Sequence, residues 1–283
     1  MFRIGTTSYI IPADILPNVE FLAPWVDDVE LVLFETDEYG SNLPDGALCK
    51  RLNELAAAYD LTYTVHLPLD LRLGDGGQET HISLVKARRV IEATREVRPY
   101  AYTLHLDGTS LFVPAPGTSA LTPSLPPLVE SSLALWQDNA RRALEIVGSW
   151  LDEPERLCVE NLERWDPEAF APVVEALPVS RTIDVGHLWL QQGDPMEHLA
   201  RWIGRARVIH LHGIAERDHA SLAHVPAERL DPVVAFLAER FSGVLTLEVF
   251  NRADWASSLA ALRASLARVS RAPGVSAMPD TEG

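Results

Sequence analysis

The feature that most constrains the fold of this chain is an alternation of strand and helix patterns that repeats eight times. Short apolar or β-branched runs predict the strands, and segments with 3.6-residue spacing lie between them. The eight predicted strands are Phe2–Thr6, Val29–Glu35, Thr62–His66, Ala101–His105, Leu157–Glu160, Arg181–Asp184, Val208–His212 and Val244–Phe250. Such alternation is typical of a parallel β/α fold, and the count of eight favours a closed barrel. We therefore predict an α/β protein with the (β/α)8 architecture of a TIM barrel.

The length of the chain fits one such barrel. The chain has 283 residues, and a single barrel of this kind needs about 250. We assign residues 1–270 to one barrel domain and residues 271–283, which are small and polar, to a disordered tail.

Three Asp-Pro pairs predict where helices begin, because the Asp can cap free amides while the Pro occupies the first turn. They are Asp166-Pro167, Asp194-Pro195 and Asp231-Pro232. Helical spacing is clearest in Asp45–Tyr59, Leu133–Trp150 and Asp231–Phe241.

A long segment interrupts the repeat after the fourth predicted strand. Residues 107–127 hold five prolines among Ser, Thr and Gly, with the apolar run Leu111-Phe112-Val113 inside. Loops that follow barrel strands lie on the face that carries active sites. We interpret the segment as an active-site loop that supplies an apolar lid or substrate wall, and a disordered insertion is the alternative.

The charge balance bears on the partners of the protein. The chain has 24 Lys and Arg against 40 Asp and Glu, a formal net charge of −16. Non-specific nucleic-acid binding depends on cationic side chains that neutralise phosphates, so we expect no nucleic-acid partner. No apolar run approaches the ~20 residues needed to span a bilayer, so we expect no membrane partner.

The cellular location is predicted from the cysteines and from the first residues. Cys49 and Cys158 are too few for a disulfide framework, which fits a reducing compartment. Residues 1–5 show no basic region followed by a long apolar stretch, so no secretory signal is expected. We predict a cytoplasmic protein, and the oligomeric state stays open.

Histidine, aspartate or glutamate stands at or near the end of six successive predicted strands. These residues are His66, His105, Glu160, Asp184, His210 and Glu248. The carboxyl ends of barrel strands converge on one rim, here called the mouth, so distant residues become neighbours there. Burying so many ionisable groups together is costly unless they bind cations. Three imidazoles beside three carboxylates suit zinc, manganese or iron, and we predict a multinuclear metal site.

Two motifs add candidates at the mouth. In Asp184-Val185-Gly186-His187, the glycine is expected to let the chain turn just past the strand, so that His187 returns towards the same centre. In His210-Leu211-His212-Gly213, the period of two puts both imidazoles on one face. Either histidine could bind metal, or His212 could orient a neighbouring ligand.

The sequence leaves open the roles of other polar residues near the strand ends. Asp218 and His219 could supply one more ligand pair, or could belong to an ordinary polar loop. Glu35, at the end of the second predicted strand, is better placed for the mouth than Glu30. Asn161 could position a ligand or a phosphate oxygen, although an asparagine that forms a turn is the commoner case.

The tryptophans divide into two groups. Trp136, Trp150 and Trp202 are predicted to be helix-core residues. Trp165 and Trp189 follow the fifth and sixth strands and could form an apolar wall at the mouth.

The ordered set of site residues resembles a known superfamily. His66 with Pro68, His105, Glu160-Asn161, Asp184-x-x-His187, His210 and Glu248 resemble the xylose-isomerase-like barrels over roughly residues 1–270. Within that superfamily they are most similar to the apurinic-endonuclease branch, whose members hold three zinc ions.

The resemblance implies a division of the ligands among two or three zinc ions. His66 and His105 would hold one zinc, and Glu160 would bridge to a second that Asp184, His210 and Glu248 also bind. His187 would hold a third. The branch completes its third site with an Asp-x-His pair, whereas the nearest match here is the adjacent pair Asp218-His219.

Further motifs resemble the CbiR family of cobamide-remodelling phosphodiesterases. They are Ile4–Pro12, Glu30–Glu35, His210–Gly213, Asp218-His219 and Leu247–Phe250. That family opens the nucleotide loop of cobalamin-type cofactors, so the resemblance implies a small-molecule corrinoid substrate and a role in corrinoid salvage. We expect metal-assisted phosphodiester hydrolysis that is abolished when either Glu160 or Glu248, the predicted catalytic residues, is replaced by glutamine.

Two other functions stay open at this point. A sugar or sugar-phosphate isomerase or epimerase on the same barrel would use one or two divalent metals held by Glu160, Asp184, His210 and Glu248. A non-catalytic corrinoid-binding or metal-binding protein is the third possibility.

Overall fold

The computed structural model describes residues 2–36, 40–108, 111, 130–163 and 169–271. Its strands are β1 (Arg3–Thr7), β2 (Asp28–Val32), β3 (Glu35–Thr36), β4 (Gly40–Ser41), β5 (Thr62–His66), β6 (Ala101–His105), β7 (Leu157–Glu160), β8 (Ser180–Asp184), β9 (Ala206–Leu211) and β10 (Val244–Leu247). Its helices are α1 (Ile15–Leu22), α2 (Gly46–Tyr59), α3 (Ile82–Thr94), α4 (Glu130–Ser149), α5 (Ala171–Glu175), α6 (Val185–Leu190), α7 (Pro195–Trp202), α8 (Ala227–Arg240) and α9 (Arg252–Val269).

Eight of the strands close into a parallel barrel in the order β1-β10-β9-β8-β7-β6-β5-β2. All eight predicted barrel strands are therefore confirmed, and so is the fold class. The prediction extended the second strand too far, because β2 ends at Val32 and the chain then enters a small antiparallel hairpin of β3 and β4. That hairpin carries Glu35 away from the barrel rim.

The two faces of the barrel wall have different compositions. Outward side chains such as Leu104, Ile183 and Ile209 belong to one apolar core that they share with the surrounding helices. Threonines occupy several inward positions, and the Thr103 and Thr182 hydroxyls are hydrogen-bonded at 2.8 Å across the interior. Side chains alternate between faces along a strand, so the same alternation that builds the core also delivers polar side chains to the interior.

The register between β8 and β9 contains one irregularity. Arg181 pairs with Ala206, but Thr182 pairs with Val208, so Arg207 is an extra residue without a partner on β8. A bulge of this kind redirects a side chain.

Two Asp-Pro helix signals fall within the described residues, and one of them is wrong. Asp194 caps α7 by accepting a hydrogen bond from the Met196 amide at 2.9 Å, as predicted. By contrast, α8 begins at Ala227 and continues through Pro232. Asp231 is bound to Arg268 and Ser265 of α9, so its carboxylate serves helix packing rather than a cap. The pair Asp166-Pro167 and the tail from residue 272 lie outside the described residues.

Within the described part of the chain, no helix combines the length and apolar character needed to cross a membrane. Cys158 is buried at the lower end of the barrel interior with Ala101 and Val208, as expected of a small core residue.

Candidate metal centre

The six strand-end residues meet at the mouth of the barrel, and Glu160 lies at their middle. Glu160 Oε2 is 3.2 Å from His66 Nε2 and 3.0 Å from His105 Nε2. Its other oxygen, Oε1, is 2.8 Å from His210 Nδ1. The Glu160 carboxylate therefore faces His66 and His105 with one oxygen and His210 with the other.

The residues around His210 form the next group. His210 Nδ1 is 3.1 Å from Glu248 Oε2 and 3.9 Å from Asp184 Oδ2. All four carboxylate and imidazole side chains of this group are buried, including that of Glu160.

The last group lies on the far side of Asp184. Asp184 Oδ1 is 3.2 Å from His212 Nε2, and His187 Nε2 is 3.6 Å from Asp218 Oδ2. His219 Nε2 approaches Glu248 Oε2 at 3.3 Å. Asp218 and His219 thus both reach the centre.

These residues form three candidate ligand sets, within each of which the ligand atoms lie within 4.8 Å of one another. Set 1 is His66, His105 and Glu160; set 2 is Glu160, Asp184, His210 and Glu248; set 3 is Asp184, His187, His212 and His219. Glu160 belongs to sets 1 and 2, and Asp184 belongs to sets 2 and 3. The structure therefore brings together all nine predicted ligands, with Asp218 beside set 3 and His212 within it.

Backbone carbonyls orient three of the imidazoles. The carbonyl oxygens of Leu67, Asn161 and Gly213 lie 2.8, 3.0 and 3.1 Å from the Nδ1 atoms of His66, His187 and His212, respectively. When Nδ1–H donates to a carbonyl, Nε2 carries the lone pair and faces the centre. This outer hydrogen bond is characteristic of histidines that bind metal.

The carboxylate of Glu30 orients the imidazole of His210. His210 Nε2 is 3.0 Å from Glu30 Oε1, and both side chains are fully buried. Donation from Nε2–H to Glu30 leaves the lone pair on His210 Nδ1, which faces Glu160 and Glu248. When these histidines are neutral, their tautomers therefore turn acceptor nitrogens towards the carboxylate oxygens of the centre.

Acceptors that face one another need a cation between them. Among the described residues, the buried oxygen Asp184 Oδ2 has no hydrogen-bond partner. Leaving buried polar atoms unsatisfied is costly, and a divalent cation would satisfy several converging lone pairs at once. The donor set, imidazole nitrogens and carboxylate oxygens, suits zinc, manganese or iron.

In the metal-free centre, the buried carboxylates stay negatively charged because the neighbouring histidines are protonated. Burial raises the pKa of Glu160, but His210 and His105 outweigh that effect and hold it well below its usual range. Burial disfavours protonation of His66, yet Glu160 raises its pKa to about 9. The pKa of His219 is also raised to about 9, because Glu248 outweighs the effect of burial. A binding cation must therefore displace protons from these imidazoles.

His187 reaches the centre through a helical turn rather than through the predicted glycine turn. Asp184 caps α6 by accepting a hydrogen bond from the His187 amide at 2.7 Å, and the first helical turn swings His187 back to the centre. Gly186 is not in the left-handed region. A Cβ at Gly186 would collide with the His212 ring, so the glycine provides space for that ring.

Asn161 locks this arrangement from the neighbouring strand. Its Oδ1 accepts from the Asp184 amide at 2.9 Å, and its Nδ2 donates to the Asp184 carbonyl at 2.8 Å. Its own carbonyl accepts from His187. Asn161 therefore positions ligands of set 3, which is one of the roles considered for it.

Comparison with known proteins identifies the family of the barrel. A family model described as a xylose isomerase-like TIM barrel matches residues 26–268. The chain belongs to this family. No curated protein matches the chain by sequence similarity.

Several solved structures are similar to this xylose isomerase-like barrel. A D-tagatose 3-epimerase-like protein has 19% identity and a TM-score of 0.71, with 95% of this chain and 98% of that chain covered. Endonuclease IV from Thermus thermophilus has 20% identity and a TM-score of 0.66, with 94% and 99% covered. The TTHB071 protein of the same organism, soaked with ZnCl2, has 21% identity and a TM-score of 0.60, with 94% and 98% covered. At these identities the likeness shows the fold.

Above the ligand sets, the mouth of this xylose isomerase-like barrel opens into a cavity of about 450 Å³. Apolar and aromatic side chains form one wall, namely Tyr9, Val32, Phe34, Leu69 and Phe250. Three of them are unusually exposed for their type, with Phe34 at 36%, Leu69 at 54% and Phe250 at 40%. Among the described lining residues there is no lysine or arginine.

Several residues predicted for the mouth lie elsewhere in the barrel. Glu35 pairs with Arg89 at 2.7 Å on the outer hairpin, so ranking it above Glu30 was wrong. Trp189 is buried beneath Arg229, away from the mouth. Trp165 and most of residues 107–127 lie outside the described residues.

Sequence reasoning undervalued Glu30, and it predicted an apolar wall at the mouth without identifying the residues that form the described one. Strand alternation carries the signal for Glu30, because it shares an inward face with Asp28 and Val32 once the strand is ended at Val32. Tyr9 and Phe250 follow strand ends, and in a barrel such positions line the mouth.

Proposed function

We propose that the protein is a metal-dependent phosphoester hydrolase that opens the nucleotide loop of cobamides. The observation that carries the hydrolase assignment is the row of three ligand sets joined by Glu160 and Asp184. Ligands shared in this way hold cations as close neighbours, and pairs of ions about 3.5–4 Å apart are typical of phosphoryl-transfer centres. Zinc suits the donor set, with manganese or iron as alternatives.

Bound divalent ions supply Lewis-acid stabilisation of phosphoryl oxygens and lower the pKa of coordinated water. The chain supplies the geometry for this chemistry. Glu160 and Asp184 keep neighbouring sets together, while Glu30, Asn161 and the carbonyls described above fix the imidazoles. Because these groups are already oriented, little reorganisation is needed when charge develops on the phosphoester.

The composition of the mouth supports a particular class of phosphoester. With no lysine or arginine in the described lining, the protein itself offers no cation for a polyanion. The apolar wall offers contact for a large body that carries a single phosphodiester. A cobamide has that character, and the corrinoid substrate itself rests on the family resemblance of the motifs.

The lack of cationic side chains in the described lining also supports the proposed absence of a nucleic-acid partner, while the absence of a membrane partner stays a prediction. Nucleic-acid binding needs cationic side chains along the groove, and the net charge is −16. A cytoplasmic location stays a prediction.

A sugar epimerase is the second candidate, and the comparisons favour it. Sugar epimerases and an epimerase-like protein recur among the solved structures that are similar to the chain. Set 2 alone provides the four ligands of a single-metal centre. The epimerase assignment leaves sets 1 and 3 without a role, and it places a polyhydroxy substrate against an apolar wall.

Product analysis distinguishes these functions. Metal-loaded protein is incubated with an adenosylated cobamide or with ketohexoses, and the products are identified by mass spectrometry and by sugar chromatography. We expect cleavage of the cobamide phosphoester, its loss in Glu160→Gln, and its retention in the control Glu35→Gln. Interconversion of ketohexoses with an intact cobamide would establish the epimerase instead. Tight cobamide binding without turnover would support a non-catalytic corrinoid-binding protein.

A further inference from the structure

A second cavity lies at the opposite end of the barrel, where the strands begin. It has a volume of about 230 Å³ and lies beside the first residues of β5, Thr62 and Tyr63. Three arginines line it, Arg98, Arg156 and Arg207, and we call it the basal arginine cavity. In a chain with a net charge of −16, three cations around one small cavity are a marked local reversal of charge.

Each of the three arginines is placed by a distinct feature of the backbone. Arg207 is the bulged residue of β9, and its guanidinium lies over the Tyr100 ring at 4.4 Å, donating to the Tyr100 carbonyl at 3.2 Å. Arg156, just before β7, donates to the neighbouring carbonyl of Pro99 at 3.3 Å. Arg98 follows a short 3-10 helix in the left-handed conformation, with φ of 50°. The bulge and the two carbonyls bring Arg156 and Arg207 to adjacent anchor points.

The charges of these arginines are only partly balanced. Arg156 pairs with Glu153 at 3.1 Å. Arg156 and, more weakly, Arg207 lower the pKa of Glu153, but among the described residues no ion pair within 4.0 Å joins a carboxylate to Arg98 or Arg207. The Nε atoms of Arg156 and Arg207 are also buried, and neither has a hydrogen-bond partner among the described residues. Buried donors without acceptors are rare in native proteins and indicate that something else satisfies them.

We infer that the basal arginine cavity binds a small anion of the phosphate class, such as inorganic phosphate or a short phosphate ester. Guanidinium groups match the tetrahedral oxygens of phosphate with paired N–H donors. The cavity is smaller than the roughly 300–1,000 Å³ of sites for drug-sized ligands, so it suits a compact anion. It is separated from the mouth by the barrel interior, and it does not depend on the proposed function of the metal centre.

Phosphate can also bind at a metal centre, so the test compares variants of the metal-loaded protein. Inorganic phosphate is titrated and followed by calorimetry, with Arg263→Gln as the control because Arg263 is an exposed residue of α9. We expect Arg207→Gln to weaken phosphate binding by about tenfold or more, and Arg98→Gln to weaken it measurably. The basal binding should persist in Glu160→Gln.

The side chain of Arg207 also supports the loop at Tyr100, so circular dichroism must show that Arg207→Gln is folded. If it is not, Arg98→Gln decides the matter, since Arg98 is exposed and its replacement removes little packing. Parental phosphate affinity in the folded arginine variants would overturn the inference. So would phosphate binding that disappears only in Glu160→Gln.

Discussion

Glu30 Oε1 lies 3.0 Å from His210 Nε2, and this contact joins two fully buried side chains at the floor of the metal centre. The contact determines which nitrogen of His210 faces the other ligands. It comes from a residue that is not itself in any of the three ligand sets.

Replacing Glu30 by alanine should therefore weaken metal binding without removing a ligand. Loss of such an outer partner typically costs about 10–100-fold in metal affinity. Zinc titration of the metal-free protein measures the effect, and Glu30→Gln, which keeps an acceptor oxygen, should retain more affinity. Glu35→Ala is the matched control on the outer hairpin. Equal zinc affinity in Glu30→Ala and Glu35→Ala would show that the contact is only structural.

Metal binding should also depend on pH. In the metal-free protein, burial disfavours protonation of His66 and His219, but Glu160 and Glu248 raise their pKa values to about 9. At pH 7 both imidazoles are therefore protonated, and a metal must displace their protons. Zinc affinity should rise as the pH rises from 7 and level off above about 9.

Calorimetry in buffers of different ionisation enthalpy counts the protons released. We expect net proton release at pH 7, a smaller release in His66→Asn, and an unchanged release in His224→Asn, whose histidine is exposed. Zinc binding that releases no protons at pH 7 contradicts the predicted protonation of the metal-free centre.

Gly186 offers a test of set 3 alone. Alanine at this position would push its Cβ into the His212 ring, although alanine is otherwise favourable in a helix. Gly186→Ala should therefore lower the zinc content while the barrel stays folded. Gly204→Ala is the matched control, because a Cβ there meets nothing within 4 Å. Full zinc content in Gly186→Ala would mean that His212 is not needed for metal binding.

The free energy of unfolding should depend on pH through Asp28, which belongs to none of the three ligand sets. Its buried carboxylate accepts hydrogen bonds from Thr62 and Thr64 at 2.7 and 2.8 Å, but burial outweighs them and raises its pKa to about 7. The unfolded chain, with a pKa near 3.8, loses the proton first. Protonated Asp28 therefore contributes to the free energy of unfolding below pH 4, and its contribution is lost as the pH rises to 7.

Asp28→Asn removes this dependence. We expect the variant to gain stability relative to the parent as the pH rises from 4 to 8, by at most about 4 kcal/mol. Urea unfolding of the metal-free proteins at both pH values measures the difference. If the difference in free energy of unfolding between parent and variant stays constant with pH, Asp28 is not protonated in the folded state.

The barrel and most of the centre could be predicted because both follow from strand alternation and strand ends. His66, Glu160 and Asp184 each stand at the end of a predicted strand, and closure of the barrel brings those strand ends together. Glu30 could not be ranked correctly without the end of β2, which the apolar residues Leu33 and Phe34 obscure. A bulge such as that at Arg207 depends on the register of β8 against β9, and a single strand's sequence does not carry that register.

Zinc-edge anomalous diffraction from crystals of the zinc-loaded protein would locate the ions of the proposed multinuclear centre. We expect at least two peaks at the mouth, with Glu160 between the ions of sets 1 and 2 and a third peak when set 3 is filled. A single peak in set 2, or none at the mouth, would contradict the multinuclear centre.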